Sequence, residues 1–267
     1  MENEKEKNKT NRRDFLKLGL LTGGAALAGT GITKLMGNTT AETGEKVKVL
    51  TADGKLIEID SCHVNHHPAI DKLSKDTAES LSQMGYHVFI ADIYGEGNYP
   101  TNTAEAGKQA GYYKKNYEIY QKRIDSALKE LVKSGANADN IVAIGYCFGG
   151  TGVLEAARGH LNLKGVVSFH GGLGKDATRA VEPITTKVLV CHGADDPFES
   201  KEEVTAFQQE MRDSKADWQM IYYANAVHSF TNPEAGNDNS KGAAYNAVAA
   251  KRSFEHLQLF LNEVLKK

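Results

Sequence analysis

The chain has 267 residues, 40 % of them hydrophobic and 25 % charged, which is enough apolar material for one large α/β domain and excludes disorder as the dominant state. Lys and Arg number 32 and Asp and Glu 34, a net charge of −2, so the positive excess that nucleic-acid binding uses is absent. The 3 cysteines, no two at Cys-x-x-Cys spacing, are too few for a disulfide framework, and 26 glycines, a tenth of the chain against a usual share of about 7 %, point to tight backbone turns.

The first elements form an address label. A polar, Lys-rich start leads to Asn11-Arg12-Arg13-Asp14-Phe15-Leu16-Lys17 and then to a Gly- and Ala-rich stretch from Leu18 to Met36, an order that resembles a twin-arginine export signal. Glycines, threonines and Lys34 interrupt that stretch, whereas spanning a bilayer takes about 20 near-continuous apolar residues, so cleavage is expected rather than anchoring. Small residues at Ala26-Leu27-Ala28 and Thr39-Thr40-Ala41 suit a peptidase. Residues 1–41 are thus expected to engage the twin-arginine export machinery, and residues 42–267 to form a mildly acidic mature domain in the periplasm or cell envelope.

Beyond residue 45, apolar β-branched runs alternate with amphipathic helical patterns. Strands are expected at 47–50, 56–59, 87–91, 141–146, 166–169, 188–191 and 219–223, and helices at 72–84, 113–134, 150–158, 201–214 and 241–265. Such alternation makes a single α/β domain, a mostly parallel sheet with helices on both faces. In the last helix Tyr245, Val248, Ala249, Phe254, Leu257, Phe260, Leu261 and Val264 recur at three- and four-residue steps, the stripe of a helix packed on the sheet.

The run from Ile141 to Tyr146 ends in Gly145-Tyr146-Cys147-Phe148-Gly149-Gly150 and leads into a helix, the pattern of a nucleophile elbow with sulfur in place of oxygen. Gly145 and Gly149 let strand and helix pass close to a sharply bent residue, and the bend lifts the thiol above the sheet. At a helix N-terminus the free N–H groups and partial positive charge favour a thiolate and can hold a developing oxyanion. Cys147 is therefore the candidate nucleophile. A base and an acid that orients it are needed as well. Lys187 to Pro197 is an apolar strand running into a turn, with Asp196 as candidate acid and Asp195 as its rival. After the strand ending at Tyr223, the loop Asn225 to Phe230 carries His228, the candidate base. His170 borders the site or serves structure, and His192 ends a strand. His63, His66 and His67 cluster beside Cys62 without carboxylates to complete a ligand set, so no metal and no cofactor are expected.

Gly145 to Gly150, Ser168-Phe169-His170-Gly171-Gly172, His192-Gly193-Ala194-Asp195-Asp196-Pro197 and Val227-His228-Ser229-Phe230-Thr231-Asn232-Pro233 together resemble the dienelactone hydrolase family, from about residue 70 to the end. The resemblance implies an α/β-hydrolase fold, a triad of Cys147, Asp196 and His228, and hydrolysis of an ester or lactone through a thioester. It implies the Phe148 N–H as one oxyanion donor. Two departures stand out. Between Ile59 and Asp71 the family pattern has a long apolar strand and a loop that gives a second oxyanion N–H and a glutamate partner for the thiol, so a central strand and its oxyanion loop are missing here. Where dienelactone enzymes have a carboxylate-binding arginine after the histidine loop, this chain has Asn232, and dienelactone itself is not the expected substrate. The tyrosine-rich stretch from Tyr94 to Tyr120 is expected to form part of a lid. Two other functions compete with a small-ester or lactone hydrolase: an impaired or non-catalytic binding protein on a hydrolase scaffold, motivated by the missing loop, and a thiol redox protein using Cys147 with Cys62 and Cys191.

Overall fold

The computed structural model describes residues 16–22, 25–30, 46–50, 56–60, 71–95, 98 and 100–265. The strands are β1 (Leu16–Thr22), β2 (Ala25–Thr30), β3 (Lys46–Leu50), β4 (Leu56–Asp60), β5 (His87–Asp92), β6 (Val142–Tyr146), β7 (Gly165–Phe169), β8 (Lys187–Gly193) and β9 (Trp218–Tyr223). They form one sheet in the order β4-β3-β5-β1-β2-β6-β7-β8-β9. The helices are α1 (Lys72–Gln83), α2 (Thr103–Lys115), α3 (Tyr117–Lys133), α4 (Phe148–Arg158), α5 (Lys201–Asp213) and α6 (Ala247–Val264). From β6 to β9 every neighbouring pair is parallel, with registers such as Gly145↔Ser168, Ser168↔Val190 and Val190↔Met220. This is the α/β fold expected from the alternating pattern.

Every strand expected beyond residue 45 forms, because each is a short β-branched run bounded by turn residues. The centre of the sheet is the surprise. Between β5 and β6, where the missing strand would lie, the hairpin β1–β2 from the stretch read as an export signal pairs with both neighbours: over several residues with β5, as at Leu20↔Ile90 in parallel, and at single pairs with β6, as at Ala25↔Gly145 antiparallel. The place of the lacking strand is thus filled, which satisfies backbone groups that a gap would leave without partners. The His63, His66, His67 and Cys62 cluster lies outside the described residues.

Alternation along the strands sorts side chains to two faces. Ala143, Val166, Val188 and Val190 pack under α2, α3, α4 and α5 with Tyr120, Ile124 and Phe207. Val142, Ile144, Val167, Phe169, Leu189 and Cys191 pack on the other face with Leu81 of α1 and Leu257, Phe260 and Leu261 of α6.

Two expected helices are reshaped. The single helix at 113–134 is two, broken at Asn116 (φ −109°, ψ 57°), whose Nδ2 donates to the Tyr112 carbonyl and so competes with helical bonding. The last helix begins at Ala247, not 241, with the Asn246 side chain accepting from the Ala249 N–H; the residues before it turn through Gly242 (φ 80°) to meet the His228 loop. Val248 consequently falls off the packed stripe and is 57 % exposed.

Helix α4 is buried along its whole length, and one glycine makes that possible. A Cβ at Gly152 would sit 2.3 Å from Tyr120 Oη, and the Tyr120 hydroxyl donates to the Phe148 carbonyl at 2.9 Å, so the ring cannot retreat without dropping that bond. Gly152→Ala is expected to lower the free energy of unfolding by about 1–3 kcal/mol in urea titration. Gly107→Ala on α2, where a Cβ meets nothing within 4 Å, is expected to be neutral or stabilising by about 0.5–1 kcal/mol.

Candidate active site

Cys147 joins β6 to α4 and stands at the N-cap of that helix with φ 52° and ψ −116°, a conformation L side chains rarely take. Its N–H donates to the Phe169 carbonyl at 3.0 Å, and its own carbonyl accepts the Thr151 N–H at 3.2 Å. The first turn of α4 lies directly against the loop after β7: a Cβ on Gly150 would be 2.7 Å from Gly171 Cα, and one on Gly171 would be 2.5 Å from the Gly150 carbonyl carbon. Gly150, the second glycine of its pair, and Gly171, the first of its own, are therefore packing requirements.

The sulfur is reached from the far side by the loop after β9. His228 Nε2 lies 3.0 Å from Cys147 Sγ, and His228 Nδ1 lies 3.0 Å from Asp196 Oδ2. Asp196, the residue after the β8 turn, has a fully buried side chain whose Oδ1 accepts the Phe198 N–H at 2.9 Å. Its rival Asp195 is exposed, its N–H donating to the Ala226 carbonyl. The His228 backbone is fixed in turn, its N–H donating to the Gly242 carbonyl and its carbonyl accepting the Ala244 N–H. Cys147, His228 and Asp196 thus form one hydrogen-bonded row drawn from three strand ends.

Residues 69–265 match the dienelactone hydrolase family. The chain belongs to that family. An uncharacterized protein of Caenorhabditis elegans is 37 % identical over 145 residues, 53 % of this chain and 91 % of its own length. A Bradyrhizobium protein named as a probable 2-oxo-3-(5-oxofuran-2-ylidene)propanoate lactonase is 25 % identical over 207 residues, 73 % of this chain and 80 % of its own. The crystal structure of a dienelactone hydrolase-like promiscuous phosphotriesterase from metagenomic libraries is similar over 95 % of this chain and 99 % of its own, with a TM-score of 0.69 and 28 % identity.

In this dienelactone hydrolase family member, charge is shared along the row. Burial pushes the Cys147 thiol up, but the His228 hydrogen bond and charge, the Phe148 N–H and the Lys114 ammonium outweigh it, and the thiol ends below its ordinary value. Burial pushes His228 down, yet its bonds to Asp196 and Cys147 carry it up to about 10. The two directions together favour a thiolate beside an imidazolium.

Of the other sequence candidates, the Phe148 N–H faces the sulfur, and its ring stacks on Tyr120 at 4.6 Å and Tyr94 at 5.2 Å. Tyr94, Tyr113 and Tyr120 are buried, while Tyr112 and most of the other described residues in the stretch expected as a lid are exposed or half-buried. His170 packs edge-on against His228 at 5.3 Å and bonds Thr231 Oγ1 at 2.7 Å; burial and the His228 charge hold it well below the ordinary imidazole value. His192 is buried against the Tyr222 ring, away from the row's hydrogen bonds. Cys191 is sealed, and burial pushes its thiol up to about 12. Sequence reasoning missed Phe198, which stands edge-on to His228 at 5.3 Å and is 58 % exposed, and Lys114 and Glu199, which converge over Gly172.

Because the folded His228 value is raised, the stability carried by its proton is complete below about pH 6.5 and is lost as pH rises through the raised value. Alkylation of Cys147 by iodoacetamide is accordingly expected to reach half its maximal rate at a lower pH than alkylation of an ordinary cysteine thiol. Asp196→Asn takes a negative charge from beside the imidazolium and is expected to raise that midpoint by about one unit, read by peptide mass across pH 5 to 10 at roughly unit steps.

Proposed function

We propose that this chain hydrolyses small carboxylic esters or lactones with Cys147 as nucleophile, His228 as base and Asp196 as the acid that orients it. The observation that carries the reading is the continuous contact from sulfur to imidazole to carboxylate, 3.0 Å at each link. The thiolate attacks the carbonyl carbon, and the C=O pair moves to oxygen beside the Phe148 N–H. On collapse the C–O bond to the leaving group breaks, the alkoxide takes the proton from His228 Nε2, and a thioester remains on Cys147. In a lactone the alkoxide stays tethered to the acyl group. Water then gives its proton to His228, attacks the thioester, and expels the thiolate, which restores the starting pair. Family membership and the lactonase name of the Bradyrhizobium relative support this substrate class.

Purified protein is expected to turn over an activated aryl acetate, and Cys147→Ala to lower the rate by about 10³-fold or more. Acid quench in the steady state is expected to trap an acetyl group on Cys147. Equal rates for wild type and Cys147→Ala would remove the reading. A second reading, a binding protein on a hydrolase scaffold, draws on the short segment between Ile59 and Asp71, since losing one oxyanion donor costs about 10²- to 10³-fold in rate. Stable acylation without turnover is the result that favours it.

We further propose that residues 1–41 export the chain through Arg12-Arg13, to the periplasm or cell envelope. The strands β1 and β2 lie within this segment, so cleavage after it removes both from the sheet. Replacing both arginines by lysine is expected to retain the protein in the cytoplasm, and N-terminal sequencing of the exported form tells whether the hairpin leaves with the signal.

A further inference from the structure

We infer that His170 is a positioning residue that sets the separation of Cys147 and His228. The strand end it occupies is bonded to the nucleophile on one side and to the base's loop on the other. On the nucleophile side, the Cys147 N–H donates to the carbonyl of Phe169, the residue before it, at 3.0 Å. On the base side, His170 Nε2 and Thr231 Oγ1 share a hydrogen bond at 2.7 Å, three residues beyond His228. The pair Phe169-His170 therefore bridges the backbone of one reacting residue to the loop of the other.

The imidazole of His170 is the surface on which that loop turns. Its ring lies 5.3 Å from the His228 ring and 5.2 Å from the Phe230 ring, edge-on to both. The turn is closed by the Asn232 N–H donating to the Ser229 carbonyl at 2.9 Å, and Ser229 takes φ 56° to make it. Thr231 lies inside this turn, which starts at the residue after His228, so a hydroxyl held there fixes the turn as a whole. The backbone bonds of His228 tie the loop to Gly242 and Ala244, whereas the Thr231 bond ties it to the end of β7.

His170 cannot give way, because its φ of 39° is braced by its N–H donating to the Cys191 carbonyl at 2.9 Å. His170 is 1 % exposed and Thr231 9 %, so water competes little for their bond. The titratable groups facing the ring are Tyr146 on β6, His192 on β8 and His228 itself. Burial holds His170 well below the ordinary imidazole value, so above about pH 6.5 it carries no charge and acts on its neighbours by position.

This role takes Cys147 as nucleophile and His228 as base, the reading proposed above, yet the contact between them can be read without ester turnover, by alkylation. Full-length protein is treated with iodoacetamide across a pH series, and modification is read on the Cys147 peptide. Thr231→Val keeps the shape of the side chain and removes the hydroxyl. It is expected to raise the midpoint by about half a pH unit, because an imidazolium free to drift favours the thiolate less. Thr231→Ser keeps the hydroxyl and loses the methyl, and is expected to stay near wild type. An unchanged midpoint in Thr231→Val, with circular dichroism like wild type, overturns the inference. So does an equal rise in both variants, since packing and not the bond would then hold the turn. If Thr231→Val does not fold, Thr231→Ala, which differs from Thr231→Ser by the hydroxyl alone, is judged by the same two outcomes. Wild-type protein that turns over no ester while the hydroxyl-dependent difference stands sinks the hydrolase reading alone.

Discussion

A non-glycine residue at φ 52° and ψ −116° costs about 1–3 kcal/mol, and at Cys147 that cost is met by the two strands and the helix that converge on it. The bend is what turns the chain from β6 into α4 within one residue. It presents the thiol above the sheet and aims the first N–H groups of α4 at the space in front of it. Relaxing the bend would break the bond from the Cys147 N–H to Phe169 and separate the Gly150 and Gly171 backbones, which already touch. The neighbouring strand end shares the strain: His170, directly after β7, has φ 39°, and its N–H is held by the Cys191 carbonyl. Strained residues at two adjacent strand ends brace each other through the sheet.

The imidazole side obeys a similar constraint, met by different means. The loops after β8 and β9 are laced by backbone bonds, Ala194 to the Tyr223 carbonyl and Asp195 to the Ala226 carbonyl. They pass so closely that a Cβ on Gly193 would lie 2.6 Å from the Ala226 oxygen. This contact fixes the separation of the Asp196 and His228 backbones, and a buried carboxylate then has one imidazole to meet. His170 and Phe198 close on the His228 ring from two directions with their edges, restricting its rotation. Phe198 owes its position to the same carboxylate, because its N–H is what Asp196 Oδ1 accepts.

The parts of this arrangement that were legible in the sequence are those written in local patterns. A β-branched run ending in Gly-x-Cys-x-Gly-Gly predicts both the strand and the turn, and Asp196 and His228 could be found because each follows such a run. Of the neighbouring pair, Asp196 turns its carboxyl inward to His228 while Asp195 is exposed, a difference the sequence alone does not show. What stayed hidden depends on contacts between distant segments. Lys114 lies on a helix whose polar pattern reads as solvated surface, and its reach to the site depends on Gly172, 58 residues away in the chain. Tyr113 and Tyr120 look like a lid because aromatic hydroxyls suit either a wet surface or a core, and the hydroxyl of Tyr120 is satisfied by the Phe148 carbonyl. The pairing of β1 and β2 at the sheet centre was invisible, since a Gly- and Ala-rich stretch carries no strand periodicity and its partners lie more than 50 residues away.

Behind the site, a buried ion cluster orients the segment that follows Gly171-Gly172. Arg158, at the end of α4, bonds Glu155 and Glu210 at 2.8 to 2.9 Å, and Arg179 bonds the same Glu155, so two cations and two anions are sealed together. Burying such a set in place of apolar side chains adds little to stability and can subtract from it, because each charge gives up its water. Its value lies in direction. Arg158 Nη2 also donates to the Leu173 carbonyl at 2.8 Å, while the Leu173 N–H donates to Glu199. Leu173 is therefore gripped from both ends of its peptide frame, by an arginine on the helix that Cys147 begins and by the Glu199 carboxylate. An apolar cluster of equal volume would fill the same space without fixing that orientation, and the glycines seated against Cys147's helix would lose their anchor.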